Sequence, residues 1–468
     1  MKLSKSEILG IRYVRALGFE SSSLELLSGV STDSRTTQSG DVFVAIRGEK
    51  FDGHDFVTKA IGNGAAVVIV DTKWADANGT MLVSIGVPRL VVDDTTVAFG
   101  DLASRYRAKF NIPVIAIAGS NGKTTTKNMV TAILGTKYSV LGTEGNLNNQ
   151  IGVPQTLFRL TEDHDVAVVE IGTNHFGEIA YLCRILAPTH GAITNIGREH
   201  LEYFGSLDGV AKAEGELLEW LRSNKGTFFF NRDDEHLTKR MRKSKGLKRI
   251  SYGFRAGGGD FKGRLGKLND TGCAIVNVRP KGKKSFDIQL NVPGVQNAKN
   301  ALAASVIGLA LKVPSKNIVK ALMGFSSTGK RSEILHLDGL TILNDSYNAN
   351  PDSMLAALKT LRSMKTTGRR IAVLGDMLEL GRSAEREHQK IGKAVGQCKV
   401  DSLFTFGTLS KITNVAAGIK VKNHFTNKVT LGEQLAEFVT TGDVVLIKGS
   451  RGMKMEEVIT HLQQKIKD

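Results

Sequence analysis

Cysteine is scarce in this sequence, and long apolar runs are missing from it. The 468 residues include three cysteines, Cys183, Cys273 and Cys398, which are scattered without metal-ligand spacing. This pattern argues against a disulfide framework or a zinc site, and we expect a location in the reducing cytoplasm. No stretch approaches about eighteen consecutive apolar residues, and the N-terminal residues lack the apolar segment of a secretory signal. We therefore expect no stable membrane insertion.

Proline, aromatic residues and acidic residues are also few. Eight prolines and 6% aromatic residues accompany 41% hydrophobic residues, which is a globular composition. The length predicts roughly three domains of ordinary size. The formal net charge is +17, and the densest basic clusters are residues 239–248 and 281–284. Neither cluster contains the interleaved aromatic residues that stack on bases. We interpret the charge as solvated surface plus sites for phosphate-rich ligands, and we expect no nucleic-acid partner.

Residues 112–126 have the pattern of a phosphate-binding loop. Their sequence is Ile-Pro-Val-Ile-Ala-Ile-Ala-Gly-Ser-Asn-Gly-Lys-Thr-Thr-Thr. Residues 114–118 predict a buried strand, residues 119–122 a glycine turn and residues 127–134 a helix. A strand, turn and helix in this order direct backbone N–H groups and the helix dipole at an anion.

The residues after the glycine turn supply the chemistry of such a loop. Lys123 would reach the β- and γ-phosphates of a nucleotide, and the Thr124 hydroxyl would bind Mg²⁺. The loop is shorter than the common pattern G-x-x-x-x-G-K-[ST], because Ile117 stands where the first glycine is expected. An ordinary strand-to-helix turn is the alternative interpretation.

Two further side chains follow predicted strands of the same region. Glu170 ends the apolar part of residues 165–172, and His200 follows a strand at residues 191–197. Ligands of open α/β sheets bind beyond the carboxyl ends of the strands, so both residues are candidates for Mg²⁺ or phosphate contacts. A buried glutamate paired with a lysine and a structural histidine are the alternatives. Residues 143–154 are too rich in Asn and Gly for a regular element and offer amides to a polar ligand.

The alternation of strands and helices predicts an α/β protein with three domains. A small N-terminal α/β domain spans residues 1–111, with an amphipathic helix predicted at residues 6–17. A central parallel sheet with the phosphate loop spans residues 112–328. Residues 329–468 predict a Rossmann-like, doubly wound sheet. The polar residues expected at the ligand edge of that last sheet are Asp345, Asn348, Asn350, Asp376, Lys448 and Arg451.

Motifs along nearly the whole chain resemble those of the Mur ligases, the ATP-dependent amide-forming enzymes of peptidoglycan synthesis. The matching motifs are Asp33-Ser-Arg35, Gly40-Asp-Val-Phe-Val-Ala-Ile-Arg-Gly48, Gly119-Ser-Asn-Gly-Lys-Thr-Thr-Thr126, Gly145-Asn-Leu-Asn-Asn-Gln-Ile-Gly-Val-Pro154, Glu170-Ile-Gly-Thr-Asn174, His200-Leu-Glu202, Asp345-Ser-Tyr-Asn-Ala-Asn-Pro-Asp-Ser-Met354 and Val373-Leu-Gly-Asp-Met-Leu-Glu-Leu-Gly381. The shortened phosphate loop is the variant that this family uses. The last two motifs point to the family member that adds D-alanyl-D-alanine.

The resemblance implies a reaction and its reactants. ATP would phosphorylate the C-terminal carboxylate of UDP-MurNAc-tripeptide, and the amine of D-Ala-D-Ala would then attack the acyl phosphate. Clustered positive charge is needed, because two anions must approach each other. The implied cofactors are ATP and one or two Mg²⁺ ions, and we expect a monomer.

The resemblance also implies roles for individual residues. The implied catalytic residues are Lys123, Glu170, His200 and Glu214. The implied metal ligands are Thr124, Glu170 and His200. The implied nucleotide contacts are Gly119, Ser120, Asn121, Gly122, Lys123, Thr124, Thr125, Asn297, Asn300, Arg331 and Asp345. The implied substrate contacts are Ser34, Arg35 and Lys50 in the first domain, Asn148 and Asn149 in the central domain, and Asn348, Asn350, Ser353 and Lys448 on the dipeptide side.

Two positions depart from the pattern of the family. Many members carry a lysine, modified to a carbamate, where this sequence has Glu214. A glutamate is itself a carboxylate, so we prefer Glu214 over Lys212, which would point in another direction on a helix. The family often has histidine where Gln296 stands, which affects only the detail of nucleotide binding.

Three other functions fit parts of the sequence. A sibling ligase, which adds a single amino acid or resembles folylpolyglutamate synthetase, would share the ATP chemistry. A basic ATPase that binds nucleic acid would account for the charge. A catalytically silent nucleotide-binding protein would account for the phosphate loop but would not explain the polar loops of all three domains.

Overall fold

The computed structural model describes residues 1–20, 22, 25–48, 50–255, 259–327 and 329–467. The chain divides into two units. Unit 1 comprises Met1–Ala116, Ser139–Gly172 and Glu178–Thr189, and unit 2 comprises Ile117–Tyr138, Thr173–Gly177 and His190–Asp468. Within the described ranges, none of the helices combines the length and the apolar character that a membrane crossing requires.

Strands and helices alternate along the described chain. The strands are β1 (Leu3–Ser4), β2 (Arg15–Leu17), β3 (Leu26–Leu27), β4 (Gly29–Ser31), β5 (Asp41–Val44), β6 (Val67–Asp71), β7 (Arg89–Val92), β8 (Val114–Ala118), β9 (Val140–Gly142), β10 (Val166–Glu170), β11 (His190–Ile193), β12 (Thr227–Asn231), β13 (Lys248–Gly253), β14 (Phe261–Leu268), β15 (Cys273–Pro280), β16 (Phe286–Pro293), β17 (Glu333–Leu337), β18 (Leu340–Asn344), β19 (Arg370–Gly375), β20 (Ser402–Phe406), β21 (Val421–Phe425) and β22 (Val444–Lys448).

The helices are α1 (Lys5–Leu9), α2 (Val57–Gly62), α3 (Thr72–Ala77), α4 (Gly79–Ser84), α5 (Thr95–Ala108), α6 (Lys123–Leu134), α7 (Gly152–Leu157), α8 (Glu178–Leu186), α9 (Leu201–Phe204), α10 (Leu207–Glu214), α11 (Glu216–Ser223), α12 (Glu235–Lys243), α13 (Val295–Ala310), α14 (Ser315–Met323), α15 (Pro351–Ser363), α16 (Ala384–Gln397), α17 (Ser410–Ala416), α18 (Lys428–Phe438) and α19 (Glu456–Lys467). Short 3-10 turns occupy Gly53–Phe56, Gly381–Ser383 and Arg451–Met453.

Unit 1 contains a five-stranded sheet in the order β2-β7-β6-β5-β4. The neighbouring pairs from β4 to β7 are parallel, and β2 runs antiparallel to β7. All five residues of β6 are buried. A parallel strand that is covered on both faces needs such a continuous apolar run. The later segments of unit 1 add the parallel pair β9 and β10, and helices α7 and α8, which pack on α5.

The first sheet region of unit 2 holds strands β11 to β16 side by side in chain order. The pairs from β11 to β14 are parallel, whereas β14, β15 and β16 form an antiparallel meander. Helix α13 packs against α6 and β15. Its buried apolar residues, among them Ala301, Leu302 and Ile307, fix α6 at this sheet.

A six-stranded sheet forms the C-terminal part of unit 2, in the order β17-β18-β22-β19-β20-β21. Only the edge pair β17 and β18 is antiparallel. One face is covered by Leu358 of α15 and Val395 of α16, and the other by Leu435 of α18 and Leu462 of α19. Helices on both faces of a parallel sheet make a doubly wound fold, which places the carboxyl ends of β18, β19 and β22 at one edge.

The structure confirms the predicted α/β class with parallel sheets and the doubly wound C-terminal sheet. The helix predicted at residues 6–17 is wrong beyond Leu9. Helix α1 ends at Gly10, and Arg15–Leu17 pairs as β2 with Arg89–Val92. The pairing partner lies more than seventy residues away along the chain, so a local apolar pattern could not indicate it.

Candidate active site

The phosphate loop joins β8 to α6 through two glycines with positive φ. Gly119 has φ +110° and Gly122 has φ +82°. A Cβ atom on Gly119 would lie 2.4 Å from the Thr194 hydroxyl, and one on Gly122 would lie 2.5 Å from the Asn300 side-chain oxygen. Both positions therefore require glycine. Helix α6 begins at Lys123 rather than in the region of residue 127 that the sequence predicted, so the first helical turn contains the lysine and the threonines.

The chain that follows β11 holds the loop in place. The N–H of Ser120 donates to the carbonyl of Asn195 at 2.9 Å, and the N–H of Gly197 donates to the Ser120 hydroxyl at 2.7 Å. The Asn195 side chain donates to the carbonyl of Asn121 at 2.8 Å. These bonds fix the backbone of the loop residues that were predicted to contact the nucleotide.

Lys123 lies across its own loop. Its Nζ donates to the carbonyl of Gly119 at 2.5 Å and lies 3.3 Å from Glu199 Oε2. Thr125 is buried as well, and the buried Thr124 Oγ1 has no hydrogen-bond partner among the described residues. A cation and an unpaired hydroxyl on one turn are the groups that a phosphate and its metal ion need.

Glu214, at the end of α10, is fully buried against the loop. Its Oε2 accepts the N–H of Gly119 at 2.8 Å, and its Oε1 has no hydrogen-bond partner within the described part of the chain. Burial, followed by the neighbouring Glu199 carboxylate, raises the pKa of Glu214 well above its ordinary value, while Lys123 lowers it. Lys212 is exposed, with its Nζ 5.1 Å from the centre of the Phe176 ring. The buried position of Glu214 and the exposed position of Lys212 therefore favour Glu214 as the residue that acts at the phosphate loop.

His200 has a partner that the sequence did not indicate. It adopts φ +47° ahead of α9, and its Nδ1 lies 2.5 Å from Glu379 Oε2. The hydrogen bond with His200 lowers the pKa of Glu379. No cluster of three or more His, Cys, Asp or Glu side chains suited to a metal ion occurs among the residues described. The role of His200 as a metal ligand stays a prediction.

Glu170 and the asparagines near it lie in unit 1. Glu170 is buried and accepts the Asn148 amide at 2.8 Å, whereas its Oε2 has no hydrogen-bond partner in the described ranges. Among the described residues, the hydrogen-bond partner of the Glu170 side chain is thus an asparagine, and not the lysine of the alternative interpretation. Asn149 accepts the N–H of Gly152 at the start of α7, so its side chain also serves the fold.

Two asparagines of α13 support the phosphate loop. Asn297 donates to the carbonyl of Pro293 at 2.7 Å, and Asn300 donates to Asn297 at 3.2 Å. The Asn300 amide faces the position that a side chain on Gly122 would occupy. Gln296 bonds instead to Thr360 of α15, at 3.3 Å.

The ligand edge of the six-stranded sheet carries an ion pair and a stacked arginine. Lys448 is 2% exposed, and its Nζ lies 2.6 Å from Asp345 Oδ2 and 2.8 Å from the carbonyl of Asn348. The Arg331 guanidinium stacks on the Tyr347 ring, with its Cζ 3.7 Å from the ring centre.

The other residues predicted for the dipeptide side are bonded within the protein. Asn348 Oδ1 accepts the N–H of Arg451 at 3.1 Å. Asn350 and Ser353 form a reciprocal capping box at the start of α15. The Asn350 amide also donates to Asn121 Oδ1 of the phosphate loop at 2.9 Å. These side chains therefore position the edge of the sheet around the loop.

The residues predicted for the first domain lie in loops of unit 1. Ser34 is buried, whereas Arg35 and Lys50 are exposed. Arg35 pairs with Asp33 at 2.6 Å, and this hydrogen-bonded guanidinium lowers the pKa of Asp33 to about 2. The buried His54 bonds to Asp52 at 2.6 Å. In the sequence, His54 is a polar loop residue of the kind that can hold a ligand, with a solvated loop position as the alternative; the structure buries its side chain.

A second group that the sequence did not reveal surrounds Arg198. This side chain lies 2.5 Å from Asp352 Oδ1 and 2.7 Å from Glu387 Oε2, and Glu387 is 1% exposed. Lys390 also contacts Glu387, at 2.8 Å. Arg198 directly precedes Glu199 and His200. The position of these residues after β11 was therefore the only feature of the sequence that could have indicated this group.

Comparisons with known proteins agree with this arrangement. Three family models match in chain order: the Mur ligase family, catalytic domain, at residues 26–107, the Mur ligase middle domain at residues 117–308, and the Mur ligase, glutamate ligase domain, at residues 330–451. The UDP-N-acetylmuramoyl-tripeptide–D-alanyl-D-alanine ligase of Escherichia coli (strain K12) is 37% identical, with 94% of each chain covered.

Solved structures show the same similarity. A crystal structure of MurF from Acinetobacter baumannii has a TM-score of 0.89 and 30% identity, with 99% of each chain covered. MurF ligase from Thermotoga maritima, solved in complex with ADP, has a TM-score of 0.81 and 26% identity, with 94% of this chain and 97% of that chain covered. The chain belongs to the Mur ligase family, in the group of the UDP-N-acetylmuramoyl-tripeptide–D-alanyl-D-alanine ligases.

Proposed function

We infer that this protein is an ATP-dependent ligase that joins D-alanyl-D-alanine to the C-terminal carboxylate of UDP-MurNAc-tripeptide. The products are UDP-MurNAc-pentapeptide, ADP and phosphate. The observation that carries this conclusion is the full-length similarity to UDP-N-acetylmuramoyl-tripeptide–D-alanyl-D-alanine ligases. The phosphate loop with Lys123 and the buried Glu214 supplies the matching chemistry.

The reaction requires two anions to meet. The peptide carboxylate attacks the γ-phosphorus of ATP and ADP leaves; the amine of the dipeptide then attacks the acyl carbon and phosphate leaves. Lys123 would turn from the carbonyl of Gly119 toward the β- and γ-phosphates. Once held against the phosphates, this cation costs no further reorganisation as negative charge shifts toward ADP, so it favours the transition state.

Nucleotide binding to Gly119–Thr125 is supported by the glycine geometry of the loop and by the ADP in the T. maritima relative. Asn297 and Asn300 are proposed near the adenine, and Arg331 and Asp345 near the ribose and phosphates. Asp345 is already oriented by Lys448 at 2.6 Å.

The residues around the loop fit Mg²⁺, which prefers oxygen ligands. Three buried oxygens, Thr124 Oγ1, Glu199 Oε1 and Glu214 Oε1, have no hydrogen-bond partner among the described residues. We propose Thr124 and Glu214 as the side chains that hold the ion directly or through water. Glu170 and His200 remain proposed ligands. The bound ion would neutralise phosphate charge.

The remaining assignments are proposals from the family resemblance. Residues 1–111 would bind the uridine diphosphate end through Ser34, Arg35 and Lys50, residues 112–328 would bind ATP, and residues 329–468 would bind the dipeptide. Asn148 and Asn149 are proposed on the UDP-substrate side of the central domain. We expect a cytoplasmic monomer.

Phosphate release from Mg-ATP tests the proposed function. We expect release only when UDP-MurNAc-tripeptide and D-Ala-D-Ala are both present. Release with a single amino acid in place of the dipeptide would indicate a sibling ligase. Release without either substrate, or stimulation by DNA alone, would overturn the ligase assignment.

A further inference from the structure

Three cations gather at the ligand edge of the six-stranded sheet with one carboxylate between them. Lys330 Nζ lies 2.9 Å from Glu456 Oε1, and Arg451 lies 3.0 Å from the same oxygen. Arg331 has no acidic partner among the described residues. Positive charge therefore exceeds negative charge here, although Lys448 and Asp345 nearby neutralise each other.

The cations surround one aromatic ring. Arg331 lies 3.7 Å from the centre of the Tyr347 ring, and Arg451 lies 5.4 Å from it. An aromatic face orients a guanidinium without occupying its N–H donors, so the Arg331 fork and those Arg451 donors that do not face Glu456 stay available to an anion. The Arg451 side chain is 58% exposed, which leaves it accessible to a ligand.

The backbone around this ring is preorganised. Lys330 and Ser332 flank Arg331 and have φ values of +63° and +52°, which non-glycine residues rarely adopt. The N–H of Tyr347 donates to the carbonyl of Lys330 at 3.1 Å, and the N–H of Ser332 donates to Asp345 at 2.8 Å. Strained backbone held by its surroundings is typical of ligand sites.

A short segment links Arg451 to the phosphate loop. Asn348 accepts the N–H of Arg451, the carbonyl of Ala349 accepts the Ser450 hydroxyl at 3.1 Å, and Asn350 donates to Asn121. Three consecutive residues thus contact residues 450–451 at one end and the nucleotide loop at the other. Such a segment spans at most roughly 7 Å between its first and last Cα atoms, which is also the length of a dipeptide.

We propose that Arg451 binds the terminal carboxylate of the acceptor and thereby selects a dipeptide over a single amino acid. This inference rests on the proposed ligase function. With its carboxylate at Arg451, a dipeptide would present its amine at the phosphate loop. A single amino acid held at the same arginine would fall short by one residue. Tyr347 is the positioning residue that orients the guanidinium.

Steady-state kinetics with two acceptors test this role. The acceptors are D-Ala-D-Ala and D-alanyl-D-alaninamide, which lacks the negative charge. We expect Arg451→Gln to raise the KM for D-Ala-D-Ala by roughly 10- to 100-fold, the range for a lost hydrogen bond to a charged group. The KM for the amide should be the same in the wild type and the variant. The KM for ATP should not change.

Lys454→Gln is the matched control, because it removes an exposed cation three residues further along the same turn. We expect it to leave all constants unchanged. Arg451→Lys should give an intermediate KM for D-Ala-D-Ala, since it keeps the charge but loses the planar fork.

Two results with the variant would overturn the inference while leaving the ligase function intact. One is an unchanged KM for D-Ala-D-Ala in Arg451→Gln, and the other is an equal loss with both acceptors. The wild type alone provides a test that needs no folded variant: a KM for the amide as low as that for D-Ala-D-Ala would also overturn it. A wild type that requires neither substrate for phosphate release would instead overturn the proposed function itself.

Discussion

The backbone N–H of Gly119 donates to Glu214 Oε2 at 2.8 Å, across 95 residues of sequence. This bond joins the end of β8 to the last turn of α10, and it leaves one buried carboxylate oxygen without a partner among the described residues. We propose that Glu214 supplies the carboxylate for which many relatives are expected to use a modified lysine.

Glu214→Ala should be inactive, because it removes a buried acceptor from the loop and a proposed oxygen ligand. Bicarbonate should not restore activity, since no lysine needs modification. Phosphate release with both substrates measures this outcome. Lys212→Ala is the control and should keep normal activity, because Lys212 is exposed. An active Glu214→Ala with an inactive Lys212→Ala would assign the role to Lys212.

Lys123→Ala should lower kcat by at least roughly 10²- to 10³-fold, the usual effect of losing a fixed group that stabilises transition-state charge. Lys137→Ala, just beyond the far end of α6, should retain activity. Circular dichroism should show a folded protein in both cases. Near-normal turnover in Lys123→Ala would remove the phosphate-loop assignment.

The stability of the protein without ligands should fall with rising pH because of Glu214. Its pKa is raised on folding from an ordinary 4.5, so its contribution to stability is complete below about pH 4.5 and is lost as the pH rises through the folded pKa. Glu214→Gln should not show this loss, and thermal unfolding of both proteins from pH 5 to 9 compares them. Parallel curves would contradict the assignment.

Arg198→Ala should destabilise the protein by about 2 kcal/mol, because it leaves the buried Glu387 with fewer cationic partners. Arg386→Ala is the matched control. Arg386 also approaches Glu387, at 3.4 Å, but its side chain is 69% exposed, and exposed pairs contribute little. Urea unfolding of the wild type and the two variants measures the free energy of unfolding of each protein. An equal decrease in both variants would show that burial of the ion pair does not determine its contribution to stability.

The sequence predicted the strand and the glycine turn of the phosphate loop well, because the signal for both is local. The apolar run at residues 114–118 matches β8 residue for residue. Strand ends and glycines were enough to locate Lys123 and Glu170. These features depend on neighbours in the sequence, which periodicity and turn chemistry report.

The rest of the site depends on contacts between distant residues. The sequence placed Arg198, Glu199 and His200 after a strand but could not tell which side chain faces Lys123. The positive φ of His200 turns it toward Glu379, and Glu199 is the one that meets the lysine. Likewise, the sequence did not indicate that Asn350 and Ser353 cap α15, because asparagine and serine serve both in caps and in ligand binding. Their contacts with a ligand stay a prediction.

The bond between Asn121 and Asn350 also has a consequence for biosynthesis. Its two ends are 229 residues apart, and a ribosome needs roughly ten to fifty seconds to add that many residues. During this interval the nascent chain carries a phosphate loop without the asparagine that completes its surroundings. The surroundings of the phosphate loop are therefore complete only after the chain has been made as far as Asn350, in its C-terminal part.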